Sequence, residues 1–330
     1  MQYTQLGTTG LTVSRMCLGT MTFGFQCEEA ISHTIIDKAT EAGITFMDTA
    51  DVYPSGGGLG AVGRTEEIVG RWLKGKRQHY ILATKAVSRM GPAAWDGGAS
   101  RKHLLDAIDA SLRRLGTDYV DLYQLHADDP LTPLDETLEA LDTIVRSGKV
   151  RYIGVSNFLA YRLARALGRS DVRGLSRFVS VQPRYNLLFR QFERELFPLA
   201  TEEGLGVMAY NPLAGGLLTG KYKPNSEPVA GTRFTNGIAA KGYQERYWHE
   251  QQFATVEAIR LAVSDGGHSL ATVAVAWVLA NPVVTSAIIG ASKPEQLVDT
   301  LAAIDFRLEA QLKEQLDDLS QAYRYGDARR

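Results

Sequence analysis

Short apolar segments alternate with amphipathic segments along nearly the whole chain. The apolar segments have the length of β-strands, and the segments between them repeat apolar residues at helical spacing. Eight strand-helix pairs in 330 residues favour a closed (β/α)8 barrel, the TIM barrel, over an open doubly wound sheet. The predicted strands lie at about 15–19, 44–48, 79–84, 119–125, 150–155, 178–182, 205–210 and 286–289. The predicted helices lie at about 27–42, 64–75, 100–116, 133–147, 158–170, 191–204, 251–265 and 294–304.

Other segments add to this alternation. The first 14 residues predict a small hairpin, and two further helices are expected at about 269–281 and about 309–322. No linker divides the chain, so residues 1–330 are predicted to form one domain. Three longer loops follow strands, which places them around the catalytic mouth of a barrel. These loops are 54–63, 86–99 and 221–250.

The charge balance favours a small-molecule partner. The chain has 36 basic and 37 acidic residues, so its net charge of -1 gives no field that would recruit nucleic acid or a membrane surface. Two cysteines, one of them within an apolar run, and the lack of a signal-peptide pattern predict a cytoplasmic protein. A monomer and a homo-oligomer both remain open.

Four polar residues lie at or just after the ends of three predicted strands: Asp48, Tyr53, Lys85 and His126. The alternative is that each is incidental, as a rim salt bridge or a structural histidine. A tyrosine has an ordinary pKa of roughly 10 and exchanges a proton poorly near neutral pH unless a cation stabilises its phenolate. Lys85 supplies a cation, Asp48 a carboxylate to orient it, and His126 a group that polarises a carbonyl or passes a proton. Together they predict a proton relay for carbonyl reduction.

These residues also carry a family resemblance, since the chain resembles the aldo-keto reductases over essentially its whole length. The resemblance implies that Tyr53 is the general acid, Lys85 and Asp48 its pKa-lowering pair, and His126 the residue that orients the carbonyl. One local stretch, around 211–222, looks especially like the aflatoxin-aldehyde and succinic-semialdehyde reductase branch. The resembling segments are 48–50 with Tyr53, 83–85, 122–126, 153–158, 181–186 and 289–292.

The same resemblance implies a nicotinamide cofactor, NADPH with NADH possible, held across the barrel mouth without a Rossmann domain. The chain agrees, because no G-x-G-x-x-G follows a strand and opens a helix. Instead of binding the cofactor, Ser156 and Asn157 could simply form a turn, and Lys293 could be an ordinary exposed lysine. The predicted cofactor contacts are Gly19, Thr20, Asp48, Ser156, Asn157, Gln182, Tyr210, Asn211, Pro212, Leu213, Gly215, Lys221, Gly290, Ser292, Lys293, Gln296, Asp299 and Thr300.

The leading hypothesis is reversible, NADPH-dependent reduction of an aldehyde or ketone. One alternative is a nicotinamide-binding sensor or regulatory subunit with little turnover, as the potassium-channel β subunits of this family are taken to be. Another is a barrel isomerase or aldolase with Lys85 as Schiff-base nucleophile. No metal ligands are predicted. The predicted substrate pocket contains Phe23, Tyr53, Met90, Trp95, His126, Arg233, Tyr243, Arg246 and Trp248.

Overall fold

The computed structural model describes residues 1–224 and 226–325, and its centre is a closed barrel of parallel strands. Residue 225 of the predicted third loop and residues 326–330 of the predicted domain lie outside the described residues. The two strands of the N-terminal hairpin, β1 (Tyr3–Gln5) and β2 (Thr12–Ser14), pair antiparallel as predicted.

Each of the eight predicted barrel strands is present, and the last strand pairs with the first to close the barrel. The (β/α)8 prediction is therefore confirmed. The barrel strands are β3 (Met16–Gly19), β4 (Phe46–Asp48), β5 (Ile81–Ala86), β6 (Val120–Leu125), β7 (Val150–Ser156), β8 (Phe178–Gln182), β9 (Gly206–Tyr210) and β10 (Val284–Ile289).

The helices surround the barrel. None of the helices in the described ranges has both the length and the apolar character needed to cross a bilayer. The helices are α1 (Glu29–Glu41), α2 (Arg64–Leu73), α3 (Arg101–Leu115), α4 (Leu134–Arg146), α5 (Ala160–Arg173), α6 (Leu196–Glu202), α7 (Ala240–Tyr247), α8 (Glu250–Val263), α9 (Leu270–Leu279), α10 (Leu297–Ala302), α11 (Ala310–Leu319) and α12 (Ala322–Tyr325).

Helix α7 corrects the prediction of an unbroken loop over 221–250. Only Tyr243 and Tyr247, one helical turn apart, give it a buried aromatic face, and most of its other positions are small or polar. Packing of those two rings, rather than hydrophobic periodicity, therefore accounts for this helix. A smaller difference is that α6 begins at Leu196, because Gln191–Glu193 form a separate 3-10 turn.

Capping residues fix the ends of helix α3. The Ser100 hydroxyl accepts a hydrogen bond from the backbone N–H of His103 at 3.3 Å, which satisfies one free donor of the first turn. Gly116 ends the helix in the left-handed region, at a φ of 63°, where a side chain would be strained. The sequence predicted both caps.

Alternation along the strands directs the site residues into the barrel. Successive side chains of a strand point to opposite faces. Phe46 and Ala83 belong to the interior apolar cluster, whereas Met47 and Leu82 pack in the outer core between strands and helices. Two residues further along each strand, Asp48 and Lys85 therefore point into the barrel at its carboxyl end.

The hairpin closes the opposite end of the barrel. Leu6 and Val13 are fully buried in the interior cluster. Backbone contact is so close there that a Cβ on Gly7 would lie 2.4 Å from the carbonyl oxygen of Gly204, and one on Gly206 would lie 2.5 Å from Leu6 Cδ1. The hairpin thus closes this end, and the cavity described below opens at the end where the strand carboxyl termini lie.

Candidate active site

Lys85 lies at the centre of the polar cluster inside the barrel mouth. Its ammonium Nζ is fully buried and donates to Asp48 Oδ2 at 2.5 Å and to the backbone carbonyl of Thr49 at 2.9 Å. The Tyr53 hydroxyl lies 3.5 Å from the same nitrogen. One cation therefore contacts a carboxylate and a phenol at once.

Two glutamine side chains satisfy the other oxygen of Asp48. Gln124 Nε2 donates to Oδ1 at 3.1 Å, and Gln182 Nε2 donates to it at 2.8 Å. A buried carboxyl group is stable when its oxygens are paired or hydrogen-bonded, so this arrangement holds Asp48 in place beside Lys85. The sequence prediction missed Gln124, although it lies two residues before His126 on an inward-facing position of β6.

Burial and the charge of Lys85 act in opposite directions on the pKa of the Tyr53 phenol. Burial raises the pKa of Tyr53 above its ordinary value, Lys85 opposes that rise, and Asp48 adds to it. For Lys85, burial opposes the charged form, but Asp48 and Tyr53 together raise its pKa. Tyr53 is therefore a protonated phenol beside a permanent cation. This is the state that a proton donor needs, and Lys85 limits a rise in pKa rather than bringing it below 10.

His126 is a neutral imidazole in this site. Burial, with the charge of Lys85 as a second cause, lowers the pKa of His126 to about 3. Its ring meets the Tyr53 ring edge to face, with centroids 5.6 Å apart. A neutral ring carries one N–H donor, so His126 is suited to hydrogen-bond a carbonyl oxygen rather than to give up a proton as a cation.

These two pKa shifts predict a flat pH profile. Protonation of His126 begins only near its pKa of about 3, and Tyr53 loses its proton only above its ordinary value. We expect kcat/KM for carbonyl reduction to stay constant between about pH 5 and about pH 9. Initial rates across that range test this, with enzyme stability checked at each pH. An inflection near pH 6.5, the ordinary pKa of histidine, would contradict the neutral assignment of His126.

A cavity of about 1090 Å³ opens above the cluster. Pockets that hold a cofactor or drug-sized ligand are typically about 300–1,000 Å³. Asp48, Tyr53 and His126 line the cavity, and Lys85 lies beneath its surface. Of the predicted cofactor residues, those in the wall are Gly19, Thr20, Asp48, Ser156, Asn157, Gln182, Tyr210, Asn211, Pro212, Leu213, Gly215, Lys221, Gly290, Ser292, Gln296, Asp299 and Thr300.

Polar side chains at the ends of neighbouring strands are linked by hydrogen bonds on one side of the cavity. Ser156 donates to the backbone carbonyl of Gln182 at 2.9 Å, and Asn157 Nδ2 donates to the backbone carbonyl of His126 at 2.9 Å. The Tyr210 hydroxyl donates to Asn157 Oδ1 at 2.8 Å. These bonds fix polar groups next to His126, where a carboxamide could be held.

A tight turn after β9 lines another part of the wall. Asn211 has a φ of 61°, and Gly215 and Gly216 have φ values of 71° and 100°. Asn211 Oδ1 accepts a hydrogen bond from the Gly215 N–H at 2.7 Å. A Cβ on Gly215 would lie 2.8 Å from Tyr243 Cδ1, so only glycine fits this approach. With Lys221 in the same wall, these features fit a phosphate-bearing dinucleotide.

The predicted 2′-phosphate end is arranged around Gln296. Its Oε1 accepts hydrogen bonds from the Ser292 backbone N–H at 2.8 Å and from the Ser292 hydroxyl at 3.3 Å. Lys293 is exposed and lies outside the cavity wall. Ser292 and Gln296 thus lie in the cavity wall, and Lys293 follows Ser292 in the sequence but lies outside the wall.

The structure divides the predicted substrate residues. Tyr53, His126, Arg233 and Tyr243 line the cavity. Phe23 is fully buried in the outer core, where strand-end packing encloses it, and Trp248 packs among Tyr222, Phe234 and Phe253. The predicted residues placed outside the wall are Phe23, Met90, Trp95, Arg246 and Trp248.

Several wall residues were not predicted. Many of them lie in the glycine-rich loop 54–63 or in the third loop, where no periodic pattern identifies an inward side. Arg89, in the second loop, is the charged example. Wall residues that the sequence analysis missed include Met21, Val52, Leu59, Val62, Arg89 and Ile238.

A second buried acidic cluster lies behind β5, between the barrel and the helices. Glu66 accepts a hydrogen bond from Thr84 at 2.5 Å and pairs with Arg114 at 2.7 Å. Asp51 is fully buried nearby, and neither of its carboxyl oxygens has a hydrogen-bond partner among the described residues. Burial, and then the charge of Glu66, raises the pKa of Asp51 well above its ordinary value.

This shift predicts a pH-dependent cost to stability. The folded protein binds the Asp51 proton more tightly than the unfolded chain. The stability that this bound proton contributes is therefore fully present below the ordinary pKa of an aspartate. It is lost as pH rises through the raised pKa of Asp51 in the folded protein. Asp51→Asn should become more stable relative to the native chain across that window, by up to ~1.4 kcal/mol per pH unit. Urea unfolding from about pH 4 to about pH 8 measures the difference. Exposed Asp118→Asn is the control, and an equal pH dependence in both variants would contradict the assignment.

A (β/α)8 barrel with a Tyr-Lys-Asp-His cluster at its mouth defines the class of carbonyl oxidoreductases. The model of the Aldo/keto reductase family matches residues 15–321. The chain belongs to this family, and it is an NAD(P)H-dependent oxidoreductase.

The relatives found include enzymes and channel subunits. An uncharacterized oxidoreductase, YrpG, from Bacillus subtilis is 42% identical over 97% of this chain and 96% of its own. A probable voltage-gated potassium channel subunit beta from Arabidopsis thaliana is 35% identical over 92% of each chain. L-glyceraldehyde 3-phosphate reductase from Escherichia coli is 34% identical over 92% of this chain and 88% of its own.

Proposed function

We propose that this protein catalyses the reversible, NADPH-dependent reduction of an aldehyde or ketone to the alcohol. The observation that carries the proposal is the position of Lys85, buried between the Asp48 carboxylate at 2.5 Å and the Tyr53 hydroxyl at 3.5 Å. Their cavity is large enough for a dinucleotide and a small carbonyl compound together.

In this proposal each residue has one role. The nicotinamide, when bound, supplies the hydride. His126, as a neutral N–H donor, orients the substrate carbonyl, and Tyr53 gives its hydroxyl proton to the carbonyl oxygen as negative charge develops there. Lys85 stabilises the resulting phenolate, and Asp48 keeps Lys85 charged and in place. In the alcohol-oxidising direction, Tyr53 takes the proton back.

NADPH is the proposed cofactor, with NADH as the weaker ligand. Ser292 lies in the cavity wall and Lys293 follows it, so a hydroxyl, a backbone N–H and an ammonium group stand near one end of the cavity. The hydroxyl and the N–H both donate to Gln296 Oε1 in this structure, so a phosphate would take these two hydrogen bonds over from that oxygen. A 2′-phosphate would gain from all three, whereas a ribose hydroxyl would gain little from the charge of Lys293.

Fluorescence titration with NADPH and with NADH, followed by a carbonyl panel, tests the proposal. The panel contains 4-nitrobenzaldehyde, succinic semialdehyde and glyceraldehyde 3-phosphate, the last because of the relative named for its reduction. Tight NADPH binding with turnover is the expected result. Failure to bind either nucleotide would refute the proposal, and stronger binding of NADH would refute the cofactor choice.

A nicotinamide-binding sensor or regulatory subunit is the second candidate. The relatives named as potassium channel β subunits support it, because they cover 92% of this chain. The intact Tyr53-Lys85-Asp48 arrangement weighs against it, since a sensor has no need of a proton donor beside a buried cation. Nucleotide binding without turnover of any carbonyl in the panel would favour the sensor. Cytoplasmic location stays a prediction.

A further inference from the structure

Helix α7 contributes one residue beneath the cavity wall as well as one within it. Tyr243 lines the cavity, whereas Tyr247, one turn later, is only 1% exposed and lies behind the turn after β9. The Tyr247 hydroxyl accepts hydrogen bonds from Asn211 Nδ2 at 3.0 Å and from Asn186 Nδ2 at 3.1 Å. The mechanism proposed above makes no use of this hydroxyl.

The turn that Tyr247 contacts has a backbone shape that needs support. Asn211 and Ala214 are non-glycine residues at φ values of 61° and 50°. Such left-handed conformations persist when their surroundings hold them. Here the Asn211 side chain is fixed at both ends, because Oδ1 accepts from the Gly215 N–H at 2.7 Å while Nδ2 donates to Tyr247.

The orientation of the Asn211 amide therefore depends on Tyr247. If the amide lost its acceptor at Nδ2, either that N–H would remain buried and unpaired or the side chain would rotate and withdraw Oδ1 from Gly215. Asn186 adds a second support, since its Nδ2 also donates to the Asn211 backbone carbonyl at 2.9 Å. Both supports act on residues that line the cavity.

We infer that Tyr247 is a positioning residue for cofactor binding, because its hydroxyl holds Asn211, and through it the turn 211–216, in the shape that lines the cavity. The inference rests on the proposed use of a nicotinamide dinucleotide. Tyr247 touches neither the hydride nor the proton path, so it should act on affinity and not on the chemical step. The missing hydroxyl of a phenylalanine would leave this turn free to relax.

Tyr247→Phe tests the inference by separating binding from turnover. We expect the Kd for NADPH, measured by fluorescence titration, to rise about tenfold, the effect of one lost buried hydrogen bond. At saturating NADPH, kcat should stay within about twofold of the native value. The matched control is Tyr323→Phe, which removes a buried hydroxyl that bonds Thr255 at 2.8 Å between helices α8 and α12 and makes no hydrogen bond to the turn 211–216. Its Kd for NADPH should not change.

Two results would contradict the inference. An unchanged Kd in Tyr247→Phe, or a fall in kcat with unchanged Kd, overturns the positioning role while leaving the proposed function intact. A native protein that binds neither NADPH nor NADH overturns both. Thermal unfolding of the two variants shows whether a general loss of stability explains the result. If Tyr247→Phe does not fold, Asn186→Ala removes the second support and should raise the Kd as well; an unchanged Kd there overturns the inference.

Discussion

Tyr53→Phe is expected to lower kcat for carbonyl reduction by about 10³-fold, within the range that general acids contribute. The substitution removes the hydroxyl, which lies 3.5 Å from the Lys85 ammonium nitrogen. The ring itself keeps its packing against His126. Single-turnover measurement of NADPH oxidation with 4-nitrobenzaldehyde gives the rate of the chemical step directly.

Nucleotide affinity is the control for this variant. The phenylalanine ring fills nearly the same volume, so the Kd for NADPH should change by less than about twofold. A variant with native turnover would remove Tyr53 from its role as proton donor. A variant that had lost both turnover and nucleotide binding would instead indicate a damaged cavity, and the assignment of Tyr53 would then need the same substitution at other cavity tyrosines for comparison.

Lys85→Met should have the second large effect, on both catalysis and stability. The Asp48 carboxylate would lose its cation while it remains only 4% exposed, and an uncompensated buried charge typically costs about 3–5 kcal/mol. The phenolate of Tyr53 would also lose its counter-ion, so kcat should fall by about 10³-fold. Urea unfolding near pH 7 measures the loss of stability, and initial rates measure the loss of turnover.

The double variant Lys85→Met with Asp48→Asn separates these two effects. An asparagine side chain at this position is neutral, and its oxygen can still accept hydrogen bonds from Gln124 and Gln182, so the buried charge is removed. Stability should return to within about 1 kcal/mol of the native chain, whereas turnover should not return. If the single variant were as stable as the native protein, Asp48 would not be held as a carboxylate by Lys85.

The sequence predicted the parts of this molecule in which apolar and polar residues alternate over a few positions. Strand alternation and strand ends are local properties, so the eight barrel strands could be located and Asp48, Lys85 and His126 assigned to one rim. The cap at Ser100 was predictable for the same reason. Glycine-rich composition likewise pointed to the turn after β9, whose residues line the cavity.

Contacts between distant segments could not be predicted in this way. Helix α7 has little periodicity, and nothing in a local pattern connects Tyr247 with Asn211, 36 positions away. The pKa of Asp51 likewise depends on the charges of Glu66 and Arg114, which belong to two different helices. Two predicted pocket residues lie outside the cavity wall for different reasons: Trp95 is exposed at the surface, and Trp248 packs against other aromatic side chains.

Because the hairpin closes one end of the barrel, substitutions at the two ends are expected to have different effects. Leu6 and Val13 fasten the closed end with apolar packing, so substitutions there are expected to alter resistance to unfolding but not the choice of substrate. The described residues of the loops at the open end take no part in that interior cluster, and several line the cavity, so exchanges of their side chains are expected to change the choice of substrate. The choice of carbonyl substrate can therefore change at the open end of the barrel while the hairpin at the closed end keeps the fold stable.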